Sequence, residues 1–408
     1  VVFVTEPAEI GLRVRTIRRR RGLSLDTAAG LAGISKPYLS MLERGERRFE
    51  RRGLLEDLAN ALGCAVIDLT GEPYLPGDRA GAEAMATLPP ISVALFDATL
   101  ADVPDVPARP IEELTSLAQA ANAASAESRY SLAGRDLGAL LTELHVHAVT
   151  GDSDTQRAAL AALTEACFVA AGNARNLGNH DLSVHAARRG EDAARRLGDP
   201  ALTAFAAMTS TSSLSRMGAR HRAQQVATAG LAAIEPHADP ASALPAAAEA
   251  AGMLHLSSAQ MAAKDHNGDR ARDHLREAAD LAERTGERNE LQFSFGPANV
   301  RAWSMSIAVE LGEGADLAER ITGTDGFDAH LVTADRRAAL HFDLARGFAQ
   351  AEGARDVESV RHLDIADRIA PQRIRHDPVA REVVAQLGAR ARRRAWELDS
   401  LKHRLGVG

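Results

Sequence analysis

Lys36, Ser40 and Arg44 follow one another at four-residue spacing, with Ser35, Pro37 and Met41 beside them. Arg47, Arg48, Arg51 and Arg52 come directly after. On a helix such spacing stacks side chains into one row. Short polar and cationic groups in a row can hydrogen-bond to base edges in a major groove, and arginines just behind them can neutralise phosphates. At roughly 100° per residue, Lys36, Pro37, Ser40, Met41 and Arg44 share one side of a helix over Lys36–Arg44, while Ser35, Tyr38, Leu39 and Leu42 lie on the other. A groove reader needs an apolar back held by neighbouring helices and a polar front that is free. Tyr38 belongs to the packing side. Pro37 falls in the first turn, where a missing N–H does no harm.

The elements that must hold this helix are legible around it. A first helix spans residues 9–21 and ends at Gly22. Ser24 caps a second through Ala32, Gly33 stops it, and Ser35 caps the third, with Gly45 just past its end. Leu54–Leu62 follows, closed by Gly63, and then Val66–Leu69. Serine at helix starts and glycine at helix stops form a consistent set of boundaries, and they predict five short helices.

These residues resemble the lambda-repressor/Cro-like (XRE-type) helix-turn-helix family of bacterial and phage regulators. The resemblance is carried by Ile10-Gly11, Arg15, Arg18, Gly22-Leu23-Ser24, Gly33-Ile34-Ser35, Tyr38-Leu39-Ser40 and Leu42-Glu43-Arg44-Gly45. It continues through Leu58-Ala59-Asn60-Ala61-Leu62-Gly63 and Asp68-Leu69. It implies that the front of Lys36–Arg44 enters the major groove, that the loop after Gly45 meets the DNA backbone, and that Arg18 pairs with Glu43. Leu25 stands where the family usually has a phosphate-contacting Gln, and Phe49 where it often has Pro.

The net charge of −7 hides this basic end. Between Arg13 and Arg52 there are twelve Lys/Arg against Asp26, Glu43, Glu46 and Glu50, so the rest of the chain is strongly acidic. A basic end on an acidic body draws phosphate to one place and repels it elsewhere. A hydrophobic fraction of 45% with 25% charged residues is that of a soluble globular protein. Cys64 and Cys167 are the two cysteines of the 408-residue chain, which argues against a disulfide framework and fits a reducing cytoplasm. No stretch has the apolar length of a membrane span, and the Val1–Val4 run is too short for a signal peptide.

Aromatics make up only 4% of the chain, and Ala, Leu, Arg and Glu dominate, so the fold class expected is all-α. The chain divides into a five-helix DNA-binding domain over 1–72, a proline-rich connector with short helices over 73–110, and a helical repeat domain over 111–408. Pro73, Pro76, Pro89, Pro90, Pro104, Pro107 and Pro110 mark the connector, with a helix expected near Leu88–Leu100. Beyond it, the break Arg196-Leu197-Gly198-Asp199 recurs in style at Arg284-Thr285-Gly286-Glu287, and a similar end lies near Glu235–Asp239. The working period is about 44 residues, within the range of helix-pair solenoids. Turns within pairs fall near Gly178-Asn179, Gly218, Asn267-Gly268, Gly312 and Gly353, and a charged helix over Val379–Leu405 would cap the stack.

This α-solenoid resembles tetratricopeptide-type repeats, with longer pairs than usual. The whole architecture resembles a set of actinobacterial regulators and the peptide-pheromone-sensing regulators of Gram-positive bacteria. In the latter the concave face of the array grips a short peptide, often through Asn side chains. Polar residues inside apolar helices are therefore the ligand candidates: Asn173, Asn176, His255, Asn299 and Arg301, together with Thr209–Ser213, Ser257, Ser258 and Gln260. Phe295 joins them because Phe293-Ser294-Phe295-Gly296-Pro297 would kink a helix beside a pocket. The competing reading has Gly296-Pro297 simply begin a helix while both Phe pack in the core.

Catalytic and metal constellations are missing. His145 and His147 point to different helix faces, and there is no His-Glu-x-x-His, phosphate loop or Gly-x-Ser-x-Gly turn. The expectation is a cytoplasmic homodimer on double-stranded DNA, with no enzyme activity, cofactor, metal or membrane. Its array would be either a sensor for a regulatory peptide or small molecule, or a protein-binding scaffold.

Overall fold

The computed structural model describes residues 9–74, 77–241, 245–290, 292, 294–391 and 395–407. The Val1–Val4 run, Pro76 and Phe293 lie outside the described residues. Among those described every regular element is a helix. The first five are α1 (Ile10–Arg20), α2 (Leu25–Leu31), α3 (Lys36–Glu43), α4 (Arg52–Leu62) and α5 (Val66–Thr70). The Ser24 and Ser35 hydroxyls accept from the Thr27 and Tyr38 amides, filling donors that a helix start leaves open. Gly11 sets how closely α1 and α3 approach, since a Cβ there would sit 2.1 Å from the Leu42 carbonyl oxygen. No larger residue fits at that crossing.

α4 begins at Arg52, ahead of the expected Leu54, and the reason is not local. Its N-cap residue, Arg51, provides no side-chain cap. The Glu310 carboxylate, distant in sequence, accepts from the Arg52 amide at 3.2 Å and the Gly53 amide at 3.1 Å. A carboxylate at a helix N-terminus satisfies open donors and opposes the helix dipole.

The proline-rich stretch contains α6 (Arg79–Met85) and α7 (Leu88–Asp97), and it is packed against the array. Leu88, Ile91 and Leu95 are buried in one core with α8 (Ile111–Ala126), α9 (Tyr130–Gly134) and α10 (Leu137–Thr150). The array then runs in antiparallel pairs. These are α11 (Ser153–Asn176) with α12 (His180–Leu197), α13 (Pro200–Met217) with α14 (Arg220–Ile234), and α15 (Pro245–Lys264) with α16 (Gly268–Thr285). Then come α17 (Pro297–Leu311) with α18 (Gly314–Thr322) and α19 (Ala334–Ala349) with α20 (Asp356–Ile369). The starts at Ser153, Pro200, Pro245, Pro297 and Ala334 scatter around the expected period.

First helices of successive pairs touch one another, from α11 through α13, α15 and α17 to α19. The stack then curves back to its beginning. α19 meets α8, and α21 (Pro371–Arg375) meets α6. The Tyr130 amide donates to Gln372 Oε1 at 2.8 Å, and the Gln372 amide group donates to the Ala80 carbonyl at 3.0 Å. The inner row of helices therefore surrounds a central space.

The single capping helix expected over Val379–Leu405 is corrected. α22 (Pro378–Arg390) stops where Ala391 turns extended, and α23 (Trp396–Leu405) starts anew. The break lets Leu398, Leu401 and Leu405 bury themselves among α20 and α22. Tertiary burial decides helix length here, as it commonly does.

The five-helix head is docked on this array. Its core residues Leu39, Leu42, Phe49 and Leu58 belong to the same apolar cluster as Phe342, Leu363, Ile374, Val383 and Leu401.

Candidate nucleic-acid interface and inner cavity

α3 carries its apolar back inward and its polar front outward. Leu39 and Leu42 are fully buried, whereas Ser35, Lys36, Pro37 and Arg44 are exposed and Ser40 and Met41 half-buried. The helix is locked from behind by Arg18, whose Nε and Nη2 donate to the two Glu43 carboxylate oxygens at 2.5 and 2.8 Å. Its Nη1 also donates to the Leu23 carbonyl at 2.8 Å, so one buried guanidinium ties α1, α3 and the turn before α2. Two parallel hydrogen bonds hold such a pair in one orientation. The Arg18–Glu43 pairing implied by the resemblance is present.

The front is partly knotted. Arg44 donates to Ser40 Oγ at 2.7 Å and to Glu46 at 2.6 and 2.8 Å. Arg44 holds the Glu46 carboxyl below its ordinary range. The Arg44–Glu46 pair faces solvent, so the knot is weak and easily exchanged for a phosphate or base edge. Lys36 makes no hydrogen bond or ion pair among the described residues.

The arginines behind the helix separate into two groups. Arg51 is half-buried and makes no hydrogen bond or close ion pair among the described residues. Arg47 donates to Glu352 at 2.6 Å, and Arg48 lies 3.3 Å from Glu9 with most of its side chain covered. Arg52 points away from this surface altogether. It is paired with Asp377 and lines the central space of the array. Arg52 as a phosphate contact is thus corrected: α4 turns it into the head–array seam, because its backbone N–H is held there by Glu310.

That seam is built of buried charge. Lys264 Nζ donates to Glu56 at 2.6 Å and to Ser215 at 3.0 Å. Arg220 reaches Glu56, Asp57 at 2.8 Å and the Gly53 carbonyl at 2.6 Å. Arg346 donates to Glu310 at 2.6 Å, to Asp343 at 2.7 Å and to the Glu50 carbonyl at 2.9 Å. Burial pushes Glu310 up, but Arg346, Lys264 and the Gly53 amide outweigh it and hold the carboxyl below its ordinary value. Glu382, buried near the Phe49 amide, is pushed up to about 7 by desolvation. None of these array residues was singled out from sequence. Their one signal is a lone charge ending an apolar helical run, as in Ala262-Ala263-Lys264 and Ala308-Val309-Glu310.

Inside the array lies a cavity of about 220 Å³ bounded by the inner helices and by Arg52. Of the six principal ligand candidates only Asn176 lines it, joined by Thr209, Ser212 and Gln260 from the wider set. Asn173 is buried and bonded to Ser125 at 3.1 Å. Asn299 is buried behind Arg336 and accepts from its Nε at 2.9 Å. Arg301 faces outward and is exposed. His255 pairs with His274, Nδ1 to Nδ1, at 3.1 Å, and stands off the cavity. Phe295 is fully buried against Gly252, where a Cβ would fall 2.0 Å from its ring. Pro297 opens α17 without a kink, so for Phe295 the packing reading holds.

Among the described residues no group of three or more His, Cys, Asp or Glu could hold a metal ion, and no helix is long and apolar enough to cross a membrane. Both cysteines are free, and burial pushes the Cys167 thiol up to about 12, which leaves it unreactive.

The family model for a helix-turn-helix domain matches residues 9–69. Residues 9–69 are a helix-turn-helix domain. The same region is 46% identical over 67 residues to the HTH-type transcriptional regulator DdrOP3 of Deinococcus deserti, covering 16% of this chain and 51% of that protein. The chain thus spans about half the length of this curated relative. Among solved structures, Bacillus thuringiensis PlcR in complex with the peptide PapR7 and DNA aligns over 68% of this chain and 95% of that one. The identity is 14% and the TM-score 0.29, a likeness too weak to assign the array.

Proposed function

We propose that this chain is a sequence-specific DNA-binding transcriptional regulator whose helical array binds a regulatory peptide or small molecule. The observation that carries the first half is α3 itself, with Leu39 and Leu42 buried behind it and Lys36, Pro37 and Arg44 open in front. Ser35, Lys36, Pro37, Ser40, Met41 and Arg44 read bases, while Arg47, Arg48 and Arg51 serve the backbone around them. Bidentate and single hydrogen bonds to base edges give specificity; arginine–phosphate contacts give salt-dependent affinity. The protein acts as a homodimer on an inverted repeat, with recognition helices one turn of DNA apart, ~34 Å, or a multiple of it. The polar inner cavity, closed on one side by Arg52 of the head, favours a ligand-gated array over a pure scaffold. A ligand there touches both halves of the chain, which differential affinity for two head positions requires.

Selection of bound DNA from a random pool, followed by footprinting, tests this reading. Lys36→Ala should lose about 1–3 kcal/mol of discrimination at one base pair while the fold stays intact. An unchanged sequence preference would show that α3 is docked wrongly here.

A further inference from the structure

The cavity walls carry more positive charge than their own carboxylates neutralise. Seven Lys/Arg line it, against Asp335 and Asp343. Some of these cations are fully matched. Arg346 is held by Glu310 and Asp343, Arg373 by Asp335, Lys264 by Glu56 and Arg52 by Asp377. The others are not. Arg175 has no hydrogen-bond or ion-pair partner among the described residues, although it is largely enclosed. Among the described residues the Arg336 side chain is bonded to the neutral Asn299 amide and lies over the face of Trp303, 5.3 Å from the ring centroid. Arg216 comes no nearer than 3.8 Å to Asp377, which Arg52 already occupies. Asp335 attracts Arg175, Arg336 and Arg373 together but is bonded to Arg373, so this enclosed wall keeps an excess of positive charge, which is unfavourable. Burial, with Arg373 nearby, holds Arg175 below its ordinary value, and burial pulls Arg336 down to about 10. Phe168, Met208, Met253 and Phe342 also line the cavity, apolar surface suited to a ligand body.

We infer that the array cavity binds a small organic oxyanion bearing at least two negative charges, gripped by Arg175, Arg336 and Arg216. The inference specifies the ligand class of the proposed sensor and rests on that reading only for its link to DNA. The anion's charge would sit between Arg175 of α11 and Arg336 of α19, bridging the first and last pairs across the closure of the array. Arg52 adds the head to the same wall. Binding therefore tightens the closed array and the docked head together.

The test uses the full chain with pyrophosphate and with citrate as probes, against sodium chloride at matched ionic strength. Thermal unfolding and calorimetric titration are read without DNA. At millimolar probe, at least one of the two should raise Tm by several degrees above the chloride control. A larger effect of pyrophosphate assigns a phosphate ligand, and a larger effect of citrate a carboxylate one. Arg175→Met should weaken binding at least about tenfold, since it removes one charge-assisted anchor, while Tm without probe stays level or rises. Retained binding in this variant would mean that the anions sit on the basic head instead, and would overturn the inference. If Arg175→Met fails to fold, Arg336→Met and Arg216→Met make the same comparison from other helices of the wall. Absence of any shift beyond chloride with both probes also overturns it. Operator binding is measured separately, so loss of either result leaves the other standing.

Discussion

Glu310→Ala should undock the start of α4, and its size can be worked from the seam. The substitution removes the acceptor for the Arg52 and Gly53 amides and one of two carboxylates on Arg346. Loss of a helix N-cap costs about 0.5–2 kcal/mol. Breaking a buried ion pair by removing one partner costs about 3–5 kcal/mol, because the other charge is left uncompensated. Asp343 still accepts from Arg346 at 2.7 Å, which places the pair term at the low end. A net loss of about 4 kcal/mol corresponds to roughly 1000-fold more frequent opening. Amide hydrogen exchange resolved at Arg52 and Gly53 reads this directly, since those protons are held by the deleted carboxylate. Exchange in α3 should change far less, because Arg18–Glu43 is independent of Glu310. Unchanged protection at Arg52 and Gly53 would refute the cap, and with it the reason for the start of α4.

Three further outcomes follow from other parts of the molecule. Arg51→Ala should flatten the salt dependence of DNA binding by about one unit of slope, whereas Arg52→Ala should leave the slope alone and lower Tm; equal slope changes in a salt titration would contradict the seam position of Arg52. Gly11→Ala should destabilise the head by more than the ~1–3 kcal/mol typical of overpacking, because its Cβ meets backbone at 2.1 Å; urea unfolding of this variant with the wild-type midpoint would count against the α1–α3 crossing. His255 and His362 are each pulled down to about 4, by burial first and then by His274 and His341. The unfolded chain takes up those protons near the ordinary value of 6.5, so stability is full above that pH and falls as pH drops towards 4. The step from 6.5 to about 4 is worth about 3 kcal/mol for each histidine, and Glu382, pushed up to about 7, offsets about one of them over the same window. The net loss should therefore be on the order of 3 kcal/mol, checked by urea unfolding at both ends of the window, and a flat profile would rule it out.

What the sequence determined by itself is local. Ser24 and Ser35 cap, Gly22, Gly33 and Gly63 stop, and the roughly 100° step separates Lys36 and Arg44 from Leu39 and Leu42. Such signals act within a few residues, so five helices and an outward-facing α3 could be read before any fold was known, while the Arg18–Glu43 lock came only from the family resemblance. The array was readable only as helix pairs. Its closure depends on contacts such as Tyr130 with Gln372, which no periodicity encodes. The same limit explains Arg52, read alongside Arg51 as a phosphate contact. Spacing makes the two equivalent, and only the closed array, by bringing Glu310 and Asp377 to one and not the other, separates them. Phe295 and Asn176 divide likewise, one sealed against Gly252 and the other left on the cavity wall. Charge neutralisation and burial are sums over neighbours distant in sequence, so the tertiary structure alone decided which polar residues could still meet a ligand.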